Sequence, residues 1–596
     1  MRSLALLLIL LAQDVYKPPV LIGVGSGTGH RSTAPIPFPD AKSQWVRAST
    51  PHFVFISATG EKRTRAIAQD LETLAVALAG LQPRFQTAPT PTRVLIFNRR
   101  KDSQPYFDLL LNRKNANAAG VFVAQKNGGT MLIDDTRDWR ADRTPYHELI
   151  HTLLADTEQR VPLWLEEGLA EYFSNADVLS GTIRAGMPIK QHVDVLRRKT
   201  AMPLATLFDI RRENDAYNAP AGQAVFYAES WAAVNWLMQT DRDAFYDFLR
   251  DLESGVAPAT AMQARYHRSL RDLQDAIYSA GVVERNSFGV LLKVPQGRVS
   301  VESSPLDRAE VLYQLGRFLE TVDENYGEAQ RHFEGAIAAN PKHGRAMAAL
   351  DRYEDAIAAT PDDPEVNLLY AESLLGQSLG RLAGTSEPPE EAAPRFRKAR
   401  ALIERALALG ANDGRAYGDL GTTYIIEPDL APGIAALEKA HELAPSRNDF
   451  ALHLFAMYRR THDLAKADAL FAQLDRARDE QVAYAARAIV VRIELDRANE
   501  LTKQQRLDEA AAIVRGLADI TKDPSAKRDL ERQAEDIDRV AATNREVAAY
   551  NAAIAQVNAK QYREARKTLA ALLEKATDPE IVRDAKKLQK ELAKLK

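Results

Sequence analysis

The chain of 596 residues contains no cysteine, which excludes disulfide staples, thiolate metal sites and a cysteine nucleophile. Any metal must be held by His, Asp or Glu. An excess of either charge is also missing: 78 basic and 81 acidic residues leave a net charge of −3. That is too little field to gather nucleic acid or an acidic membrane surface. No apolar run reaches the ~20 residues of a membrane span. The run from Leu4 to Ala12 follows Met1-Arg2-Ser3 and has the form of a short secretory signal, although Leu10 suits a cleavage site poorly. The expected location is periplasmic or secreted, with the cytoplasm as the alternative.

What is present divides the chain. A hydrophobic share of 45% and a charged share of 27% are those of a soluble globular protein, and this length implies several folding units. Residues 1–17 are expected to be the signal and 18–43, rich in Pro, Gly, Ser and Thr, a linker. Gly23, Gly25, Gly27 and Gly29 fall there, but Thr28 and His30 break the dinucleotide-loop spacing. His52–Ser57 and Arg93–Asn98 read as strands, with a helix between them marked by Ile67, Leu71, Leu74 and Leu78. Ala119–Ala124 and Thr130–Asp134 read as a hairpin around Asn127-Gly128-Gly129. Helices are expected over Ala224–Met238 and Ala244–Leu252. A first domain over 44–286 is thus a small mixed sheet plus helices, an α+β unit. Residues Ser287–Ser304 look irregular or strand-like around Pro295-Gln296-Gly297, and 287–306 are expected to form a junction.

Residues 307–596 carry a repeat. Tyr417, Leu420, Gly421, Tyr424, Gly433, Leu437, Ala440 and Pro445 follow the tetratricopeptide spacing, and adding 34 reaches Ala451, Leu454, Phe455, Tyr458, Ala467 and Phe471. Leu312, Leu315, Gly316 and Leu319 pair in the same way with Ala329, Phe333, Ala336 and Pro341. Ala349, Tyr353, Ala356 and Pro361 make a second helix without a full first one. Small residues let two antiparallel helices approach, and large ones fill the next hairpin's groove. The expectation is an all-α solenoid with degenerate units that binds a protein partner. A generic alanine-rich bundle is the alternative.

The chemistry sits earlier. Thr144-Pro145 opens a helix that reads Tyr146-His147-Glu148-Leu149-Ile150-His151. His147 and His151, four apart, share a face and can offer imidazoles to one ion. Glu148 is placed to reach water beside that ion. A second helix, Leu163-Trp164-Leu165-Glu166-Glu167-Gly168-Leu169-Ala170-Glu171-Tyr172-Phe173, supplies a carboxylate, since a catalytic zinc commonly takes three protein ligands and keeps one position open.

HELIH followed by WLEEGLAEYF resembles the gluzincin metallopeptidases. It is most similar to peptidase-MA-like domains found beside tetratricopeptide arrays, over about Gln44 to Val283. The resemblance implies a zincin-like domain in 44–286, Zn²⁺ held by His147, His151 and Glu167, and Glu148 as general base. Glu166 is the competing third ligand. It implies that Glu171 orients a metal-binding histidine, with a solvent-facing charge as the alternative. It also suggests Tyr227 as a donor to the oxyanion, with Tyr217 and His192 as other candidates, and Gly120–Gln125 as a sheet edge that takes substrate. The implied activity is endopeptidase cleavage of a peptide or protein by metal-activated water. No motif for gripping a free amino terminus is present. The alternatives are a tetratricopeptide scaffold with an inactive peptidase-like domain, and a zinc hydrolase of a non-peptide amide.

Overall fold

The computed structural model describes residues 21–22, 35–81, 91–110, 119–125, 128–136, 143–155, 162–179, 182–198, 202–211, 220–279, 290–293, 299–320, 326–384, 389–475, 480–521 and 523–594. The expected signal, the glycine run, Asn127, Tyr217 and Pro295–Gly297 lie outside them.

The first half is built on a seven-stranded mixed sheet. Its strands are β1 (Leu21–Ile22), β2 (Trp45–Ser49), β3 (Phe53–Ser57), β4 (Thr92–Phe97), β5 (Gly120–Gln125), β6 (Gly128–Asp134) and β10 (Glu302–Leu306), in the order β1-β5-β6-β4-β3-β2-β10. β3, β4 and β6 run parallel, while β5 turns back antiparallel on β6. The alternation of side chains decides what each face covers. Phe53, Phe55, Val94, Ile96, Met131 and Ile133 face the helices α1 (Glu61–Leu81), α3 (Thr144–Ala155) and α4 (Leu163–Ser174). Ile56, Leu95, Phe97, Val121, Val123 and Leu132 face the other way, towards α2 (Arg100–Leu110), which was not apparent from the periodicity, and towards the solenoid.

The rest of this half is a small antiparallel sheet of β7 (Asp177–Leu179), β8 (Thr182–Ala185) and β9 (Val290–Lys293) and further helices. These are α5 (Lys190–Arg197), α6 (Leu204–Asp209), α7 (Pro220–Thr240), α8 (Arg242–Glu253), α9 (Pro258–Tyr266) and α10 (Leu270–Tyr278). The long helices α7 and α8 contain the two segments expected there.

The solenoid consists of helix hairpins: α11 (Arg308–Leu319) with α12 (Tyr326–Ala339), α13 (Gly344–Ala349) with α14 (Tyr353–Ala359), α15 (Pro364–Gly384) with α16 (Pro389–Ala408), α17 (Gly414–Thr422) with α18 (Ala431–Leu443), and α19 (Asn448–Arg460) with α20 (Leu464–Leu474). Longer helices follow: α21 (Glu480–Lys503), α22 (Leu507–Ile520), α23 (Pro524–Asn558), α24 (Tyr562–Lys575) and α25 (Pro579–Leu592). The small-residue logic holds at Gly421, where a Cβ would stand 2.5 Å from Leu437 Cγ and 2.8 Å from Gly433 O. The six-residue α13 is the truncated first helix that the spacing predicts.

Two stretches differ from expectation. Residues 302–306 fall in the expected junction, yet β10 pairs with β2 along five residues, from Glu302↔Ser49 to Leu306↔Trp45. Residues 36–39 of the expected linker are strapped to the solenoid. Ile36 N donates to Glu328 Oε2 at 3.1 Å, Arg308 to Pro39 O at 3.0 Å, and the Arg331 guanidinium lies 4.4 Å from the Phe38 ring centroid. The physical reason is a shared core. Leu312, Leu315, Phe318 and Phe333 of the first hairpin cluster with Leu95, Phe97, Tyr106 and Leu132. The first repeat thus shares with α2 the covering of the sheet's second face.

Candidate metal centre

α3 and α4 are neighbours on one face of the sheet, and their register brings three side chains together. His147 Nε2 and His151 Nε2 are 3.1 Å apart. Glu167 Oε2 is 3.4 Å from each of them. A tetrahedral ion with bonds of about 2.0–2.1 Å separates its ligand atoms by roughly 3.3–3.4 Å, so this triangle has the edges such an ion requires. Among the described residues it is the one trio of His, Asp or Glu side chains placed to hold a metal ion. His151 and Glu167 are fully buried.

The far sides of both imidazoles are also engaged. His147 Nδ1 faces Glu171 Oε1 at 3.4 Å, and His151 Nδ1 faces Glu166 Oε1 at 3.3 Å. Such partners fix the ring and direct the other nitrogen's lone pair inward. One helix thus supplies a candidate ligand and both orienting carboxylates. Glu166 stands against His151 Nδ1, behind the triangle that Glu167 joins. Glu171 continues outward to His192 Nε2 at 2.9 Å, and the His192 ring centroid lies 5.8 Å from that of Trp231. His192 is therefore tied to Glu171. Tyr227 is half-buried on α7, its ring centroid 6.2 Å from that of His147.

Glu148 is buried and accepts a hydrogen bond from Phe122 N of β5 at 2.9 Å. Sequence reasoning had no signal for this donor, because backbone groups carry no residue identity. β5 is not a bare edge either: Leu21 and Ile22 pair with Val123 and Phe122. A substrate strand expected on Gly120–Gln125 would have to displace that pairing.

Electrostatics favour a cation in the pocket. Burial opposes charge on the imidazoles, but Glu167 and Glu171 hold His147 well above its ordinary pKa, and Glu167 and Glu166 push His151 up to about 9. Burial opposes charge on Glu167 as well, yet the imidazoles hold it well below the usual carboxylate range. Burial raises Glu148, partly offset by those same imidazoles. Without an ion, protonated histidines must supply the positive charge that these carboxylates demand. With one, that charge comes from the ion.

Gly168 explains why α4 can lie where it does. A Cβ there would meet Ser230 O at 2.6 Å and Val234 Cγ2 at 2.7 Å, so α4 crosses α7 at a contact that only glycine permits.

The molecule is thus an α+β unit bearing a buried His–His–Glu cluster, fused to a helical-hairpin solenoid. A family described as "Protein of unknown function (DUF1570)" matches residues 143–258, a span that holds all three members of the cluster. No curated protein matches the chain. Among solved structures the chain is similar to the tetratricopeptide domain of P58(IPK), at 15% identity and a TM-score of 0.16, covering 48% of this chain and 98% of that one. It is similar to human IFIT1 at 14% identity and a TM-score of 0.20, covering 68% and 96%. It is similar to yeast Tom70 at 14% identity and a TM-score of 0.17, covering 77% and 94%. None of these scores carries a function across.

Proposed function

We propose that the chain is a zinc-dependent endopeptidase whose solenoid binds protein partners or substrates. The observation that carries this reading is the triangle of His147, His151 and Glu167, with edges of 3.1, 3.4 and 3.4 Å. When bound, zinc supplies a Lewis acid that makes water ionisable near neutral pH. His147, His151 and Glu167 hold it, while Glu171 and Glu166 aim the two imidazoles. Glu148, the residue after the first histidine, takes the proton of the attacking water and returns it to the leaving amine. The Tyr227 hydroxyl donates to the oxygen on which negative charge develops.

A second reading, a protein-binding scaffold with a silent peptidase-like domain, is favoured by two observations. The Glu148 carboxylate is buried against Phe122 N, and Leu21–Ile22 covers the β5 edge.

One experiment separates the two. The protein is loaded with zinc and incubated with a mixture of unfolded protein substrates, and cleavage is read by mass spectrometry. The parent cleaves, and Glu148→Gln keeps its zinc but loses at least about a hundredfold in rate. Equal rates in parent and variant overturn the catalytic reading. Partners retained intact by zinc-loaded parent favour the scaffold.

A further inference from the structure

His192 lies outside the triangle of candidate ligands yet is joined to it. The first turn of α5 leaves Lys190 and Gln191 exposed and buries Val193 in the core. His192, between them, has a side chain only 12% exposed. Its ring lies against that of Trp231, with centroids 5.8 Å apart and planes at 42°. Trp231 is buried on α7, and α5 and α7 are neighbours. Among the described residues the polar partner of this ring is Glu171, whose Oε2 stands 2.9 Å from His192 Nε2.

The two imidazoles on Glu171 are not equivalent. The His192 contact, at 2.9 Å, has the length of a charge-assisted hydrogen bond. His147 Nδ1 stands 3.4 Å from the other oxygen, beyond the usual hydrogen-bond range of about 2.7–3.2 Å. Burial opposes charge on Glu171, yet the two imidazoles hold it well below the usual carboxylate range. An ionised carboxylate only accepts, so each ring turns an N–H towards it. The short contact fixes where the carboxylate sits, and the long one depends on that placement.

The two orienting carboxylates therefore differ in what holds them. Glu166, behind His151, is confined by burial. The Glu171 side chain is 18% exposed, and among the described residues His192 and His147 are the side chains that engage its carboxylate. Take away His192, and the one contact of hydrogen-bond length is gone.

We propose that His192 is a positioning residue for the metal centre: by donating Nε2–H to Glu171 it fixes the carboxylate that orients His147, and so raises the affinity for the ion. This rests on the reading of His147, His151 and Glu167 as a metal site. It gives α5, which offers no ligand, a share in that site, and it extends the chain of control to His147–Glu171–His192.

The test measures the zinc affinity of the full chain by competition with a chromophoric chelator, and the visible absorption of the cobalt-loaded protein. His192→Phe keeps a ring beside Trp231 but has no N–H. It should bind zinc about threefold to tenfold more weakly than the parent, less than the loss expected for removing a direct partner of a ligand, and its cobalt bands should shift. His192→Gln loses the ring but keeps an amide N–H, and should recover most of the affinity. A histidine that merely packs would give the opposite order, with Phe tolerated and Gln damaging. Action through Glu171 further requires that His192→Phe cause no added loss in a Glu171→Ala background. Melting temperatures identify any variant that fails to fold, and the Phe and Gln variants each bear on the result alone. Parental affinity in His192→Phe, a Gln variant no better than Phe, or an undiminished loss in the Glu171→Ala background overturns the inference and leaves the zinc reading intact. A parent that binds no zinc overturns both.

Discussion

Replacing Gly168 by Ala tests how tightly the proposed metal centre depends on the packing behind it. Two effects oppose each other. Alanine favours a helix over glycine by up to about 1 kcal/mol. Against this, the new methyl would stand 2.6 Å from Ser230 O and 2.7 Å from Val234 Cγ2. The first of these is backbone in the middle of α7 and cannot rotate away. Restoring ordinary contact, at about 3.5 Å, requires α4 to retreat from α7 by almost an ångström. Overpacking of this kind costs about 1–3 kcal/mol, so the clash outweighs the helix gain. The retreat also carries Glu167, the adjacent residue and proposed ligand, and a metal site tolerates only about 0.5 Å of displacement. The expected outcome is a lower melting temperature together with zinc affinity weakened by about tenfold or more, read by competition with a chromophoric chelator. A variant with parental zinc affinity and stability would refute the claim that this crossing positions the site.

Three further outcomes follow from the geometry. Burial raises the pKa of Glu229 to about 7 despite hydrogen bonds from Tyr278 and Met202. A carboxyl raised in the folded state stabilises below its unfolded pKa, near 4.5, and that contribution fades as pH rises towards 7. The loss amounts to about 3 kcal/mol. Glu229→Gln should therefore raise the melting temperature at pH 8 and change little at pH 4, and an equal shift at both would contradict the assignment. Phe318→Ala, in the first repeat, should cost about 3–5 kcal/mol and loosen amide protection in β4 as well as in α11, because both line one core; protection lost from the solenoid alone would argue against that core. Glu171→Gln, which keeps a hydrogen-bond acceptor for His147 Nδ1 but removes its charge, should weaken zinc binding by about tenfold. Unchanged binding would mean that His147 needs no such partner.

The site was legible because a helix translates spacing into direction. His147 and His151, four apart, share a face in any α-helix, and the Glu-Glu-Gly string places carboxylates at the start of the next one. Glu166 was harder to assign, since which of two adjacent glutamates enters the triangle depends on the rotation of α4 about its axis. Gly168 and α7 set that rotation, and neither is visible in the local string. The repeats were legible where small residues sit at the helix contacts, as at Gly421 and Ala467. The longer α23, with 35 residues, departs from that period. β2 was missed, and β10 begins inside a stretch read only as irregular or strand-like, because the pairing that defines them joins segments about 250 residues apart in sequence.

The central claim is that two imidazoles and one carboxylate hold a zinc ion. Elemental analysis of the protein purified without added metal tests it most directly, alongside His151→Ala and Glu167→Ala. One zinc per chain in the parent, with loss of metal in both variants, is the predicted result. A metal-free parent that takes up no zinc on titration, or variants that retain the parental content, would contradict it.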